Sequence, residues 1–497
     1  MISRVLTSGI VFLTAVAAGG ARSADRPPNV VLIVVDDLGW KDLGCQGSDF
    51  YETPHVDALA EQGMRFTQAY AACAVCSPTR AAVLTGKYPA RLGITDWIRP
   101  RRGRDANEYE LSKTGGYVEN DQQPLITPAN RFELDLEHVT IAERLKRKDY
   151  ATCHVGKWHL GDPGHFPTDQ GFDRNAGGCD YGHPPSYFDP YASKRLPDGI
   201  PTLPPRKEGE YLADREADEC VDFIREHRDG PFLLSYWPYE VHTPLQAKPE
   251  LIEQYRDKKP GGDQTNPTYA AMVHSMDEAV GRITAALHEL ELTENTLIVF
   301  TSDNGGLIGP TNNAPLRSGK GYAYEGGLRV PLIVCWPGVV PSGTTSDFPA
   351  CSIDLAPTIC DAVKVDFPAK ERDGISMWKH IISSGKESPD RDTLLWHFPH
   401  YRQSHVVEPY SVIRSGDWKL IKYYEGPVFE LYDLAADPSE QRNLAADKPD
   451  LVEKFDDDLS DRLAAMNAKL PKLPKLPKLP KPSNADQSRD RQGASEG

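Results

Sequence analysis

Short apolar runs that end in polar clusters recur along this chain. Asn29–Val35 leads straight into Asp36 and Asp37, residues 296–300 lead into 302–306, residues 232–236 lead within a few positions to His242, and residues 150–153 lead to Gly156, Lys157 and His159. Runs of this length that are apolar throughout, and are bounded by turn-forming residues, read as strands buried on both faces, with the helical stretches between them covering a sheet. In open α/β sheets ligands bind beyond the carboxyl ends of the strands, so the clusters that follow these runs are expected to meet at one site.

The pattern changes near Arg391. Shorter apolar or aromatic runs at 393–396, 411–414, 418–422 and 429–432, then a helical stretch over 451–466, predict a small antiparallel sheet with a helix. The expected fold is therefore α/β: a large, mixed but mostly parallel sheet flanked by helices over 25–385, with a smaller C-terminal α+β unit over 386–468. From residue 469 the chain repeats Lys-Leu-Pro four times and ends in a polar stretch. Proline at every third position forbids helix, so 469–497 is expected to be disordered and outside the catalytic unit. At the other end, 1–24 reads as a secretory signal: Arg4, an apolar stretch over 5–18, then small residues. That stretch is too short for a membrane span, and no other segment is apolar enough to make one, so no stable span is expected once the signal is removed.

With 497 residues and 39% hydrophobic content, the chain can bury a large core. A formal net charge of −16 argues against a nucleic-acid partner, which usually leaves a basic footprint. Nine cysteines in a chain of this length do not make a disulfide scaffold, and any pairing is not legible from sequence. The one Asn-x-Thr, at Asn266, is blocked by Pro267. This favours a bacterial exported protein, periplasmic or secreted, over a glycosylated lysosomal one.

The segment of most chemical interest is Cys76-Ser77-Pro78-Thr79-Arg80. Ser77 can cap a helix that begins at Pro78, and Gly86 is placed to end it, which would put Cys76 just outside a helix N-terminus. Free N–H groups and the helix dipole there favour an anion, and Arg80 adds a fixed cationic fork one turn on. A buried structural cysteine, or a Cys73–Cys76 redox pair, fits the same residues. Asp36, Asp37, Asp303 and Asn304 form an all-oxygen set of the kind that holds a hard cation, although a single Asp-Asp pair is more often a turn or a cap. A Lys-x-His such as Lys157 and His159 is by itself ordinary loop chemistry. On an extended segment, spacing of two would point both side chains the same way.

These motifs together resemble the formylglycine-dependent (type I, arylsulfatase-like) sulfatases of the alkaline-phosphatase-like superfamily. The Cys-x-Pro-x-Arg core at 76–80 is similar to their signature, 156–159 to their Gly-Lys-x-His motif, 242–244 to their His-x-Pro loop, and 317–327 to the segment bearing a sulfate-binding lysine. The resemblance runs in order from Asp36 to about Trp336, and continues into the pattern around 430–438. It departs at Thr79, where the family more often has serine or alanine.

The resemblance implies an exported sulfuric ester hydrolase acting on a sulfated carbohydrate. Cys76 would be converted to formylglycine by a formylglycine-generating or anaerobic maturation enzyme. Asp36, Asp37, Cys76, Asp303 and Asn304 would hold Ca²⁺, with Mg²⁺ as second choice. Arg80 would belong to the catalytic set, Lys157 and Lys320 would bind sulfate, and His159 would contact the formylglycine hydroxyl and take its proton. His242 would protonate the leaving alkoxide. His400, in the donor-rich loop 397–402, would reach the sugar. A phosphatase, phosphodiesterase or phosphonate hydrolase on the same fold, and an inactive carbohydrate-binding homologue, are the alternatives. An anionic substrate also requires a basic island within this acidic surface.

Overall fold

The central strand explains the architecture. Asn29–Val35 (β1) carries NVVLIVV, and all seven residues are buried. Because side chains alternate across a strand, Val31, Ile33 and Val35 enter one core and Val30, Leu32 and Val34 another. A strand with two apolar faces needs a layer on each. Helices Pro54–Gln62 (α1), Leu212–Glu226 (α3) and Pro267–Glu289 (α4) supply the first core, while Cys76–Thr85 (α2) and Leu355–Ala362 (α5) supply the second. Truncating Ile33 to alanine at such a site would cost about 2–5 kcal/mol.

The structure is a computed structural model that describes residues 26–100, 105–260, 262–402, 406–426 and 428–473. The expected signal at 1–24 lies outside these residues. The large sheet adds Met64–Tyr70 (β2), Ala151–Gly156 (β3), Arg174–Ala176 (β4), Phe232–Trp237 (β5), Thr296–Ser302 (β6), Arg329–Cys335 (β7), Thr344–Ser346 (β8) and Ala350–Cys351 (β9). Its order is β8-β2-β7-β6-β1-β5-β3-β4, with β9 also on β2. All pairings are parallel except those of β7, which runs antiparallel to both β6 and β2. Val35 lies beside Ser302 and Ile33 beside Tyr236, so β1, β6 and β5 end together. The expected mixed, mostly parallel sheet flanked by helices is what the chain forms.

The second sheet is antiparallel, in the order Thr393–Phe398 (β10), Tyr410–Ser415 (β11), Trp418–Tyr423 (β12), Val428–Asp433 (β13), and Pro449–Ala465 (α6) packs on it through Phe455, Leu459 and Leu463. The same apolar cluster takes in Tyr70, Cys73 and Val75, so the small sheet braces the segment that enters α2. The boundary of the tail needs correcting. Ile126 and Lys472 exchange both backbone hydrogen bonds (2.8 and 2.9 Å), and the ammonium of Lys472 lies 3.5 Å from the Tyr117 ring centroid. Residues 469–473 therefore dock on the larger unit, and 474–497 lie outside the described residues.

Candidate active site

Cys76 is the first residue of α2, and Val75, not Ser77, occupies the cap position. The expected serine cap fails because Ser77 Oγ is used elsewhere, accepting the Ile98 N–H at 3.0 Å. Thr79 fixes the approach instead: its hydroxyl accepts from Cys73 N and donates to Cys73 O, both at 3.1 Å. The residue that departs from the expected signature thus clamps the turn leading to Cys76. Gly86 ends the helix as expected, at φ 65° with its N–H on Ala82 O. All nine cysteines are free, and burial pushes the Cys73 thiol up to about 12, opposite to the depression a redox pair requires.

Lys157 and His159 follow β3, but not on an extended segment. Gly156 turns at φ +94°, where a side chain would strike Trp237 O at 2.2 Å, and His159 itself has φ 60°. The two side chains part: Lys157 Nζ donates to Asp36 Oδ2 at 2.5 Å, while His159 turns to Cys76, its Nδ1 3.4 Å from Sγ. His159 Nε2 lies 2.6 Å from the Ile98 carbonyl, which can only accept, so Nε2 carries the hydrogen. Burial, reinforced by the Lys157 charge, holds this ring well below the usual histidine range and so neutral. Nδ1 is then a free base facing residue 76.

The acidic set assembles where β1 and β6 end together. Arg80, wholly buried, donates Nε to Asp303 Oδ2 at 2.8 Å and Nη1 to the Lys157 carbonyl at 2.8 Å, and lies over the Trp237 ring. Lys320 Nζ sits 2.5 Å from Asp37 Oδ1, and Asn304 Nδ2 donates to the same oxygen at 2.8 Å. His242 gives Nδ1–H to the Thr243 carbonyl at 2.8 Å and points Nε2 at Asp37 Oδ2, 3.6 Å away. Against the cost of burial, the Lys320 and Lys157 charges hold the Asp37 carboxyl well below the usual range. Burial raises Asp303 to about 6 despite Arg80. The cations Arg80, Lys157 and Lys320 are thus set among three carboxylates, so the protein's own charges here balance where a basic island was expected.

Ligand atoms of Asp36, Asp37 and His242 lie within 4.8 Å of one another. Asp36 Oδ1, Asp37 Oδ2 and Asn304 Oδ1 are buried without a hydrogen-bond partner. Orphaned buried oxygens are costly, and a divalent cation that prefers oxygen ligands satisfies them, so the donor set fits Ca²⁺ or Mg²⁺. His400 stands apart from this cluster. It is buried with Nε2 on Thr95 Oγ1 at 2.8 Å, lines a neighbouring cleft of about 810 Å³, and is held neutral, down to about 3, by burial.

Residues 28–365 match the protein family described as Sulfatase. The chain belongs to the sulfatase family. Residues 318–469 of this sulfatase match N-sulphoglucosamine sulphohydrolase, C-terminal. It is 31% identical to a sulfatase of Formosa agariphila, over 94% of each chain, and 32% identical to human arylsulfatase A, over 87% of this chain and 86% of that protein. The solved structure of Ps i-CgsB in complex with k-i-k-neocarrahexaose is similar at a TM-score of 0.73 and 30% identity, covering 88% of this chain and 93% of that one. The protein is accordingly a hydrolase of sulfate esters, built on the alkaline-phosphatase-like fold.

Two contributors to the sulfatase site were not singled out from sequence: the Ile98 carbonyl sets the His159 tautomer, and the Trp237 ring supports Arg80. His183, whose loop the sequence did point to, stacks on His242 with centroids 5.9 Å apart and planes 11° apart. A backbone carbonyl has no sequence signal. Trp237, as the last residue of β5, was legible only as core.

Proposed function

We propose that this sulfatase is exported and hydrolyses sulfate esters on a carbohydrate, through formylglycine formed from Cys76 by a maturation enzyme and with Ca²⁺ in the carboxylate cluster. The observation that carries the reading is the pairing of residue 76 with the unprotonated Nδ1 of His159. Carbohydrate as the substrate class is supported by the carrageenan-type hexasaccharide in the related structure. Export rests on the charge and apolar pattern of 1–24.

The hydrated aldehyde at residue 76 would supply the nucleophilic oxygen. A cation held by Asp36, Asp37, Asp303 and Asn304 would offset sulfate charge as a Lewis acid. His159 Nδ1 takes the proton of the group at residue 76, for which its tautomer is already set. Lys157 and Lys320 each commit one interaction to a carboxylate, and an ammonium has three donors, so both retain donors for a sulfate oxygen. Arg80 acts as a positioning residue, since Asp303 and the Lys157 carbonyl take its fork. His242 is neutral by burial and the Lys320 charge, and gains its proton as the sulfate anion enters. It then donates from Nε2 to the leaving oxygen. The unit over 25–385 carries this chemistry and the unit over 386–468 braces it. Mass analysis of the residue-76 peptide from protein made with a maturation enzyme tests the reading: an aldehyde supports it, and an unmodified cysteine in sulfate-releasing protein refutes it.

A further inference from the structure

One cation beside this site is used by none of these steps. Arg402 follows β10, and its backbone is fixed by two hydrogen bonds with Val407, Arg402 N to Val407 O at 2.9 Å and Val407 N to Arg402 O at 3.1 Å. Its guanidinium lies flat against Gly321, the neighbour of Lys320. Gly321 has φ +93°, which favours glycine, and a Cβ there would stand 2.3 Å from Nη1 and 3.0 Å from Cζ, so a side chain would displace the guanidinium. Gly321 in turn donates its N–H to Ala74 O at 2.8 Å and accepts from Tyr410 Oη at 3.3 Å, which ties the turn both to the approach to Cys76 and to β11.

Nη1 of Arg402 is buried and has no hydrogen-bond partner. An unpartnered buried cationic donor is unfavourable in the free protein, and an anionic oxygen bound beside it would satisfy it. Its contact with Gly321 sets it beside the turn that carries Lys320, the sulfate-binding lysine. Beyond Asp96 the neighbouring cleft is lined by Asp105, Glu108, Glu119 and Asp121, with Arg99 the basic member among its described lining. Next to Lys320, Arg402 therefore adds a second positive charge that favours an anionic group on the substrate.

We infer that Arg402 is a specificity-determining residue that binds a second anionic oxygen of the substrate, a carboxylate or a further sulfate, close to the scissile sulfate. A guanidinium suits both groups, because its planar fork matches their oxygen pairs. The inference rests on the sulfate-ester reading above and adds to it a substrate class: sugars carrying two anionic groups near one another.

The test compares wild type, Arg402→Gln and Arg402→Lys, all matured at residue 76, on an aryl sulfate, a monosulfated hexosamine, a disulfated hexosamine and a sulfated hexosamine linked to a uronic acid. For the doubly anionic sugar that uses this contact, Arg402→Gln is expected to lower kcat/KM by about 10- to 100-fold, mostly through KM, with partial recovery in Arg402→Lys. Turnover of the aryl sulfate should stay within about threefold, which also shows that the variant is folded. Whether the disulfated or the uronate sugar suffers the loss identifies the anionic group. An equal loss on every substrate, the aryl sulfate included, or no loss on either doubly anionic sugar, overturns the inference. If wild type turns over the aryl sulfate, such a failure is that of Arg402 alone; if wild type turns over no sulfate ester, the functional reading falls and takes this one with it.

Discussion

The Nδ1 of His159 lies 3.4 Å from the Sγ of Cys76. The ring carries its hydrogen on the far nitrogen and is kept neutral by burial, so the lone pair meets residue 76 before any substrate arrives. Replacing His159 by glutamine removes that base but keeps a polar side chain of similar reach. The expected result is a fall in kcat of roughly 10²–10⁴ with little change in KM. Single-substrate kinetics on matured protein check this, and a loss confined to KM would assign His159 to binding.

In the proposed role of proton donor, His242 should matter in proportion to how badly the leaving group needs a proton. An aryl oxide leaves without much help, whereas a sugar alkoxide does not. His242→Ala should therefore cost roughly 10²–10⁴ on a sugar sulfate and clearly less on an activated aryl sulfate. Measuring the ratio of the two losses tests the assignment; equal losses would mean that His242 serves the sulfate or the cation and not the leaving oxygen.

Three buried oxygens without partners, on Asp36, Asp37 and Asn304, form the proposed cation site. Binding to the folded state alone stabilises it by about 2.7 kcal/mol at a free concentration a hundred times Kd. Adding Ca²⁺ to chelator-treated protein should raise Tm, and Asn304→Ala, which removes one orphaned acceptor without changing charge, should reduce the rise. Calorimetry that found the same Tm with and without Ca²⁺ and Mg²⁺ would remove the cation from this cluster.

The division between what was legible in the sequence and what was not follows the range of the interactions. Strands such as Asn29–Val35 and Thr296–Ser302 announce themselves because both faces are buried, and the acidic pairs behind them meet because β1 and β6 end in register. Ser77 misled because a serine one residue into a helix looks like a cap, and only the distant Ile98 N–H competes for its hydroxyl. Lys157 and His159 diverge because of two positive φ values that an alternating pattern cannot anticipate. The docking of Lys472 on Ile126 and the contact of Arg402 with Gly321 join segments far apart in the chain, for which local sequence holds no sign.

A stability effect follows from His154, which is buried among Trp158, Phe172 and Trp237. Burial and the nearby Arg80 charge lower its pKa to about 3. The unfolded chain binds this proton once the pH drops below about 6.5, whereas the folded chain does not until about 3, so the contribution is complete above 6.5 and is lost on acidification between those values. His154→Phe removes it. The slope of unfolding free energy against pH between 6 and 4 should become less positive by about 1.4 kcal/mol per pH unit, read from denaturant curves, whatever the absolute effect on packing. An unchanged slope would mean that His154 titrates normally in the folded protein.

The most direct test of the account is the rate of sulfate release from a sulfated sugar by protein matured at residue 76, in the presence of Ca²⁺, set beside Cys76→Ala and beside release of phosphate from the matching phosphate ester. The account predicts sulfate release by wild type, its loss in Cys76→Ala, and phosphate turnover far below that of sulfate. Undiminished release by Cys76→Ala, or phosphate turnover with no sulfate release, would contradict it.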